Sequence, residues 1–354
     1  MKRTSLYLAC LAALSAAPAF AGVQSADVTQ DGNVNLATVT QGGADTQQVD
    51  ATVYQGGDYN MASISQEGVD GHNAVINQTG DSNTADIMAS APSHTGSTNS
   101  SATIDSVGNY NGAIIWQTDV LDTSAGITQD GEGHSAVIDQ LEVEGSPTFI
   151  SQSGSYEMAD IMQTTVASSS ATIDQLDGYF DQAYITQSGS ALTASIMQSA
   201  TAMAYADITQ AGDNLYASIW QSDVMGASAT ITNGSLNNWA TITQSDFSNF
   251  AVANIDQYAA INSYADIYQS GAADSAAYVT QSGDGHFAVV SQSGAYNDAD
   301  VWQDGLGNSA FITQSGTGDA AAHNTASIAQ YGSYDIASIT QSGGSGNFAS
   351  IIQY

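Results

Sequence analysis

Apolar and variable residues alternate along this chain in a five-residue word, Ala-x-Ile/Val-x-Gln. It first appears as ADVTQ (Ala26–Gln30) and last as ASIIQ (Ala349–Gln353), and it occurs 28 times. The third position is Ile or Val in every copy. The first is Ala except at Thr148, and the fifth is Gln except at Ala89, Ser106 and Asn233. Most words lie 11 or 12 residues apart. A spacing of two puts Ala, Ile/Val and Gln on one face of a β-strand. The residue two before the Ala shares that face, and it is Asn at Asn35, Asn60, Asn83, Asn111, Asn297, Asn308 and Asn347. Gly and polar residues between words, as in QSG and QDG, are turn formers.

A short strand and a tight arc repeated at a fixed period predict an all-β chain, a β-solenoid of about 14 strand-arc-strand-arc coils with two facing parallel sheets. Stacked at about 4.8 Å, such coils make a rod of roughly 65 Å. An ordinary β-sandwich does not need the fixed period. Ala and Ile/Val then fill a thin interior, each buried Ile or Val giving about 1.5–3 kcal/mol before entropy is set against it. Gln and Asn at the ends of the interior face stack on their own copies one rung away and hydrogen-bond along the axis in an amyloid-like way. The candidate ladder and self-assembly residues are Gln30, Gln41, Gln55, Gln66, Gln292, Gln303, Gln314, Gln341, Gln353, Asn35, Asn60, Asn297 and Asn308. Three longer intervals, Gln41–Gln55, Ala89–Ser106 and Gln314–Gln330, are expected to bulge as loops. Ala91–Ser101, with Pro92, is the expected hinge.

Composition changes the picture in two ways. Low hydrophobicity with high net charge ordinarily means disorder, but the strict placement of the apolar residues overrules that here. Residues 1–21, with Lys2 and Arg3, an apolar run and the small-x-small end Ala19–Ala21, read as a secretory signal peptide. The run is too short to span a bilayer. Cys10 lies too early in it for a lipidation site. Loss of Lys2 and Arg3 takes the formal charge from −33 to −35 and leaves neither Lys nor Arg, and loss of Cys10 leaves no thiol. Phosphate-directed nucleic-acid binding and chemistry needing a basic side chain are thereby disfavoured. Separate chains repel at low ionic strength and are screened as salt rises.

The stretches Gln30–Gln41, Gln55–Gln66, Gln292–Gln303 and Gln303–Gln314 share Gln-x-Gly-x-x-Asn-x-Ala-x-x-x-Gln at every fixed position. This pattern resembles the curlin repeat, the unit of curli subunits, which form extracellular amyloid fibres in bacterial biofilms. The pattern runs over nearly the whole mature chain, and the Gln353-Tyr354 end is similar to that of major curlin subunits. The resemblance implies one curlin-repeat domain over 22–354. It also implies partnership with copies of the same chain, a curli-type nucleator and an outer-membrane secretion pore. The chain departs from the family in its many repeats, in its lack of basic residues, and in starting its repeats almost directly after the signal. That last departure leaves little room for a separate export segment.

Other constellations point to no chemistry. Asp occupies the outward second position of the word at Asp27, Asp86, Asp160, Asp207, Asp266 and Asp300, and the outward fourth at Asp105, Asp139, Asp174 and Asp256. If alternate words share a sheet, no two of these fall on neighbouring rungs of one column, which avoids carboxylate repulsion. A calcium site needs clustered oxygens, so a solvated acidic face is the better reading. His72, His134 and His286 stand where Asn is common and read as hydrogen-bonding arc residues rather than metal ligands. No nucleophile-elbow or triad signature is present, so no catalytic residue and no cofactor is expected. Trp116, Trp220 and Trp302 fall at the outward fourth position, suited to lateral fibre contacts or to a carbohydrate surface.

The reading is therefore structural: an extracellular, self-assembling curli-like fibre subunit serving biofilm matrix and surface adhesion, without membrane insertion or nucleic acid. The alternative is a monomeric secreted solenoid that binds ice or a glycan along one face. Thr-x-Thr occurs at Thr38–Thr40, Thr230–Thr232 and Thr241–Thr243 but does not recur on neighbouring rungs, so no ice-type array results.

Overall fold

The computed structural model describes residues 24–42, 48–91 and 99–354. The expected signal peptide lies outside them, as does most of the expected hinge. The described residues form 28 strands, β1 (Gln24–Asp31) to β28 (Phe348–Gln353), one on each copy of the word. Odd-numbered strands share one sheet and even-numbered strands the other. Two strands and two arcs make a coil, so the fold is a β-solenoid of fourteen coils. The chain divides into two compact units, 1–152 and 153–354.

In the first unit the strands described pair in parallel and set word on word. Between β1 and β3 (Val49–Gly56), Ala26 pairs Ala51, Val28 pairs Val53 and Gln30 pairs Gln55. The second unit keeps this register, with irregularities after Gln163, Asn233 and Asp256. The third long interval holds a small antiparallel bridge between Asp319 and Ala322. Among the described residues no helix is long and apolar enough to cross a membrane.

The interior is thin because its residues are small. Ala and Ile/Val of the inner word positions are buried nearly without exception, and the intervening positions face outward. Trp116, Trp220 and Trp302 stand on outer faces. No two of the ten Asp at outward word positions pair on neighbouring strands within either unit.

Two backbone devices close the arcs. Among the described residues, the one before nearly every Asn-type position, His323 excepted, takes a left-handed conformation, with φ of 59° at Val34, 61° at Tyr59, 61° at Ser82 and 59° at Tyr110. Such a conformation costs a bulky residue roughly 1–2 kcal/mol. The other device is a glycine column, Gly32, Gly57, Gly80 and Gly108, in which the place of a Cβ would lie 1.8 to 2.2 Å from the carbonyl oxygen of the next glycine up. Only a residue without a Cβ allows this approach.

Candidate functional site

The interior ends of the strands carry amide ladders. In the first unit Gln30 Nε2 donates to Gln55 Oε1 at 2.6 Å, Gln55 to Gln78 at 2.9 Å, and Gln41 to Gln66 at 2.9 Å. In the second unit the odd sheet runs unbroken from Gln175 through Gln198, Gln221, Gln244, Gln269, Gln292 and Gln314 to Gln341 at 2.8–2.9 Å. The even sheet runs from Gln257 through Gln281, Gln303 and Gln330 to Gln353 at 2.6–2.9 Å. In every link Nε2 donates toward the C-terminal rung. The same Nε2 also donates to the backbone of the facing sheet, as Gln55 does to Leu36 at 3.1 Å and Gln303 to Phe287 at 3.1 Å. One side chain thus satisfies a buried amide and clasps the two sheets.

Residues 261–294, 287–316 and 323–354 match the curlin associated repeat. The same word continues outside the matched residues, back to Ala26. No curated protein matches the chain.

Over most of its length the Asn column works differently from the amide-on-amide stack expected for it; that stack forms at Asn297, Asn324 and Asn347, where Asn324 Nδ2 donates to Asn297 Oδ1 and Asn347 Nδ2 to Asn324 Oδ1, both at 3.1 Å. Elsewhere in the column the Asn Oδ1 accepts the backbone N–H of the Asn-type residue one rung on, as from Asn60 to Asn35 and from Asn83 to Asn60, both at 2.9 Å. Each Nδ2 holds an arc carbonyl, from Asn60 to Gly80 at 2.7 Å and from Asn297 to Gly316 at 2.8 Å. Asn308 likewise donates to Gly332 at 3.1 Å and receives the Asp335 N–H. At the arc the strand ladder has ended, so backbone donors and acceptors compete for the short side chain and win. Asn35 is half-buried and Asn347 exposed, whereas Asn60, Asn297 and Asn308 are fully buried.

The carboxylates also differ between strands and arcs. Asp58 and Asp81 sit on neighbouring rungs, which the outward strand positions avoid. Each accepts a backbone N–H from the rung before it, Asn33 to Asp58 at 2.7 Å and Asp58 to Asp81 at 2.8 Å. Those donors offset the repulsion. Among the described residues no group of three or more His, Cys, Asp or Glu is placed to hold a metal.

Sequence reasoning missed what His72 does. Ala89 occupies a ladder position between Gln66 and Gln117 and has no amide. The buried imidazole of His72 fills the gap, with Nδ1 3.0 Å from Gln66 Nε2 and Nε2 2.7 Å from Gln117 Oε1. The ladder polarity assigns the neutral tautomer with hydrogen on Nε2. It accepts on one side and donates on the other, as glutamine does. Burial lowers its pKa and keeps it neutral. His134 and His286 are buried as well, and His286 Nε2 lies 2.7 Å from the Ser282 carbonyl. We expect His72→Ala to destabilise the first unit by about 3 kcal/mol, and Ala89→Gln in that background to recover most of the loss. Denaturant unfolding of both variants checks this; no recovery would show that His72 is packing rather than a ladder member.

Asn233 stands at another ladder position and is one methylene short. Its Nδ2 reaches the Tyr216 carbonyl at 3.0 Å, but neither its Oδ1 nor the Oε1 of Gln257 opposite has a hydrogen-bond partner among the described residues. Asn233→Gln should raise stability by about 1–2 kcal/mol, visible as a higher melting temperature.

Glu157 and Asp181 replace Asn on neighbouring even strands, two before Ala159 and Ala183; their spacing was legible but overlooked. Both are buried. Burial, and then the charge of Asp181, push Glu157 up to about 8, while the Gly178 N–H at 3.1 Å pulls it back. Asp181 is raised by burial and eased by the Thr201 hydroxyl at 2.6 Å and the Ala204 N–H at 2.8 Å. From pH 4.5 to about 8 an unfolded Glu157 ionises while the folded one stays protonated. Its stability term is therefore complete below pH 4.5 and lost as pH rises through 8. Glu157→Gln should gain roughly 3 kcal/mol over the native chain at pH 9 and almost nothing at pH 4, measured by denaturant unfolding at both.

Proposed function

We propose that this chain is a structural subunit of extracellular curli-like fibres, adding end to end to copies of itself and serving biofilm matrix and surface adhesion. The matched repeats and the solenoid support a structural, adhesive role outside the cell. The observation that carries end-to-end growth is the single polarity of the ladders. At the last rung, Gln341 Nε2 donates to the Thr325 carbonyl and Gln353 Nε2 to the Ile336 carbonyl, and among the described residues neither has a further acceptor. At the first rung no described residue donates to the Oε1 of Gln30 or Gln41. Donors at one end meet acceptors at the other only head to tail.

The words align in that arrangement. β27 (Ile336–Gln341) falls over Ser25–Gln30, and β28 over Leu36–Gln41, so Ala meets Ala, Ile meets Val and Gln meets Gln. Phe348, 75% exposed, then covers Leu36, 55% exposed. A curli-type nucleator and outer-membrane pore are the partners this reading calls for, and no catalytic step enters it.

The test is assembly of the purified mature chain as salt is raised from low to marine levels, followed by electron microscopy and fibre diffraction. Fibres with reflections near 4.7 and 10 Å are expected. Their onset should shift to higher salt because a charge of −35 per chain must be screened. A soluble monomer at every salt concentration would overturn end-to-end assembly.

A further inference from the structure

The two outer faces of the second unit differ in charge. In the second unit the even strands carry Asp160, Asp207, Asp213, Asp256, Asp284, Asp298, Asp300 and Asp304, whereas the odd strands carry Asp174, Asp177 and Asp266. This less charged face is aromatic. On β17 (Tyr216–Ser222), β19 (Trp239–Ser245), β21 (Tyr264–Ser270) and β23 (Phe287–Ser293), the residue before the word is Tyr216, Trp239, Tyr264 and Phe287 in turn. Tyr216 stacks on Trp239 at 3.9 Å between centroids, and Tyr264 on Phe287 at 4.9 Å. Those rings spend their faces on each other, and cross-strand stabilisation accounts for them.

The fourth-position column of the same face is not accounted for in that way. It reads Trp220, Thr243, Tyr268. Trp220 is 52% and Tyr268 43% exposed, and neither contacts another ring among the described residues. They flank Thr243 at one rung, about 4.8 Å, on either side. A ring seated over Thr243 lies one rung from both, a separation that suits the thick chair of a sugar better than a flat aromatic.

Hydrogen-bonding groups border this place on both sides. Thr241 Oγ1 donates to Asp266 Oδ1 at 2.6 Å, and Ser270 Oγ donates to Asp246 Oδ2 at 2.6 Å. Each carboxylate has acceptor capacity left for hydroxyl donors. Aromatic faces for C–H surfaces and carboxylates for hydroxyls are the chemistry of saccharide recognition. Beyond residues 1–21 the chain has no Lys or Arg and a formal charge of −35, so an anionic polymer is repelled. A second copy would bring the same charge to the contact, and a neutral partner brings none.

We propose that the odd-strand face around Thr243, between Trp220 and Tyr268, binds an extended, uncharged β-linked polysaccharide, with one sugar ring over Thr243. The site acts in the single chain and does not depend on fibre formation. The test is affinity electrophoresis of the full mature chain at low salt through gels containing hydroxyethyl cellulose or alginate. Retardation by the neutral polymer alone is expected. Trp220→Ser and Tyr268→Ser should each weaken it at least tenfold with unchanged melting temperature, and Trp302→Ser, on the even sheet, should leave it unchanged. No retardation of the native chain, or equal loss in Trp302→Ser, overturns the proposal. So does a Trp220→Ser, Tyr268→Ser double variant that abolishes lateral bundling of fibres while the native chain ignores the polymer; that result would give the face to a second copy.

Discussion

Gly80→Ala should prevent the first unit from folding at room temperature. The added Cβ would lie 2.0 Å from the Gly108 carbonyl oxygen, and the position has a φ of +112°. Both obstacles are backbone, so no side chain can turn aside. Moving the arc would pull the Gly80 and Gly108 carbonyls out of line with Asn60 and Asn83, since Asn60 Nδ2 holds the Gly80 carbonyl and Asn83 Nδ2 the Gly108 carbonyl. The expected loss exceeds the roughly 4–5 kcal/mol that marks the severe end of single substitutions. Gly112→Ala is the matched control. Its Cβ would meet nothing nearer than 3.9 Å, at the His134 carbonyl, and no left-handed φ opposes it. Circular dichroism and thermal melting of the two variants decide the matter; if Gly80→Ala melts with Gly112→Ala, the arcs are not held in this close stack.

Gln198→Leu carries the next largest effect, about 2–4 kcal/mol of destabilisation, because it orphans buried polar atoms. Gln198 accepts from Gln175 and donates to Gln221, both at 2.8 Å, and its Nε2 also reaches the Gln182 carbonyl at 3.3 Å. Leucine fills the space and makes none of these bonds. Gln221 Oε1 loses its donor in a fully buried place. Gln182→Leu changes the same residue type at an exposed outward position and should stay within about 0.5 kcal/mol of the native chain. Denaturant unfolding separates the two. Equal midpoints would mean that the ladder arranges the interior without stabilising it.

Much of the fold was legible because one short word states it repeatedly. A period of two inside the word selects the inner face, and a period of 11 or 12 between words alternates the sheets. Burial of Ala, Ile and Gln at every rung then leaves one register, since a slip by one residue would expose them all. The Gln ladders follow from that register. The Asn column was only half legible: its positions were plain, but its bonding was decided by arc carbonyls and N–H groups, which a strand pattern does not describe. His72 was read as an arc residue, and its part in the ladder depends on Ala89, 17 positions further on, and on Gln117, 45 residues away.

The sequence by itself determined the all-β class, the alternation of strands between two parallel sheets, the aliphatic interior and the uncompensated negative charge. These follow from local spacing and composition, which no packing detail can reverse. The tertiary structure alone decided which deviations are repaired and which are not: His72 bridges Ala89, whereas Asn233 leaves two acceptors bare. It also decided how far burial raises Glu157 and Asp181, and that in the second unit one outer face gathers stacked rings while the other gathers most of the carboxylates. Each of these depends on which residues meet across a rung, and the arcs set that by steering side chains inward or outward one coil at a time.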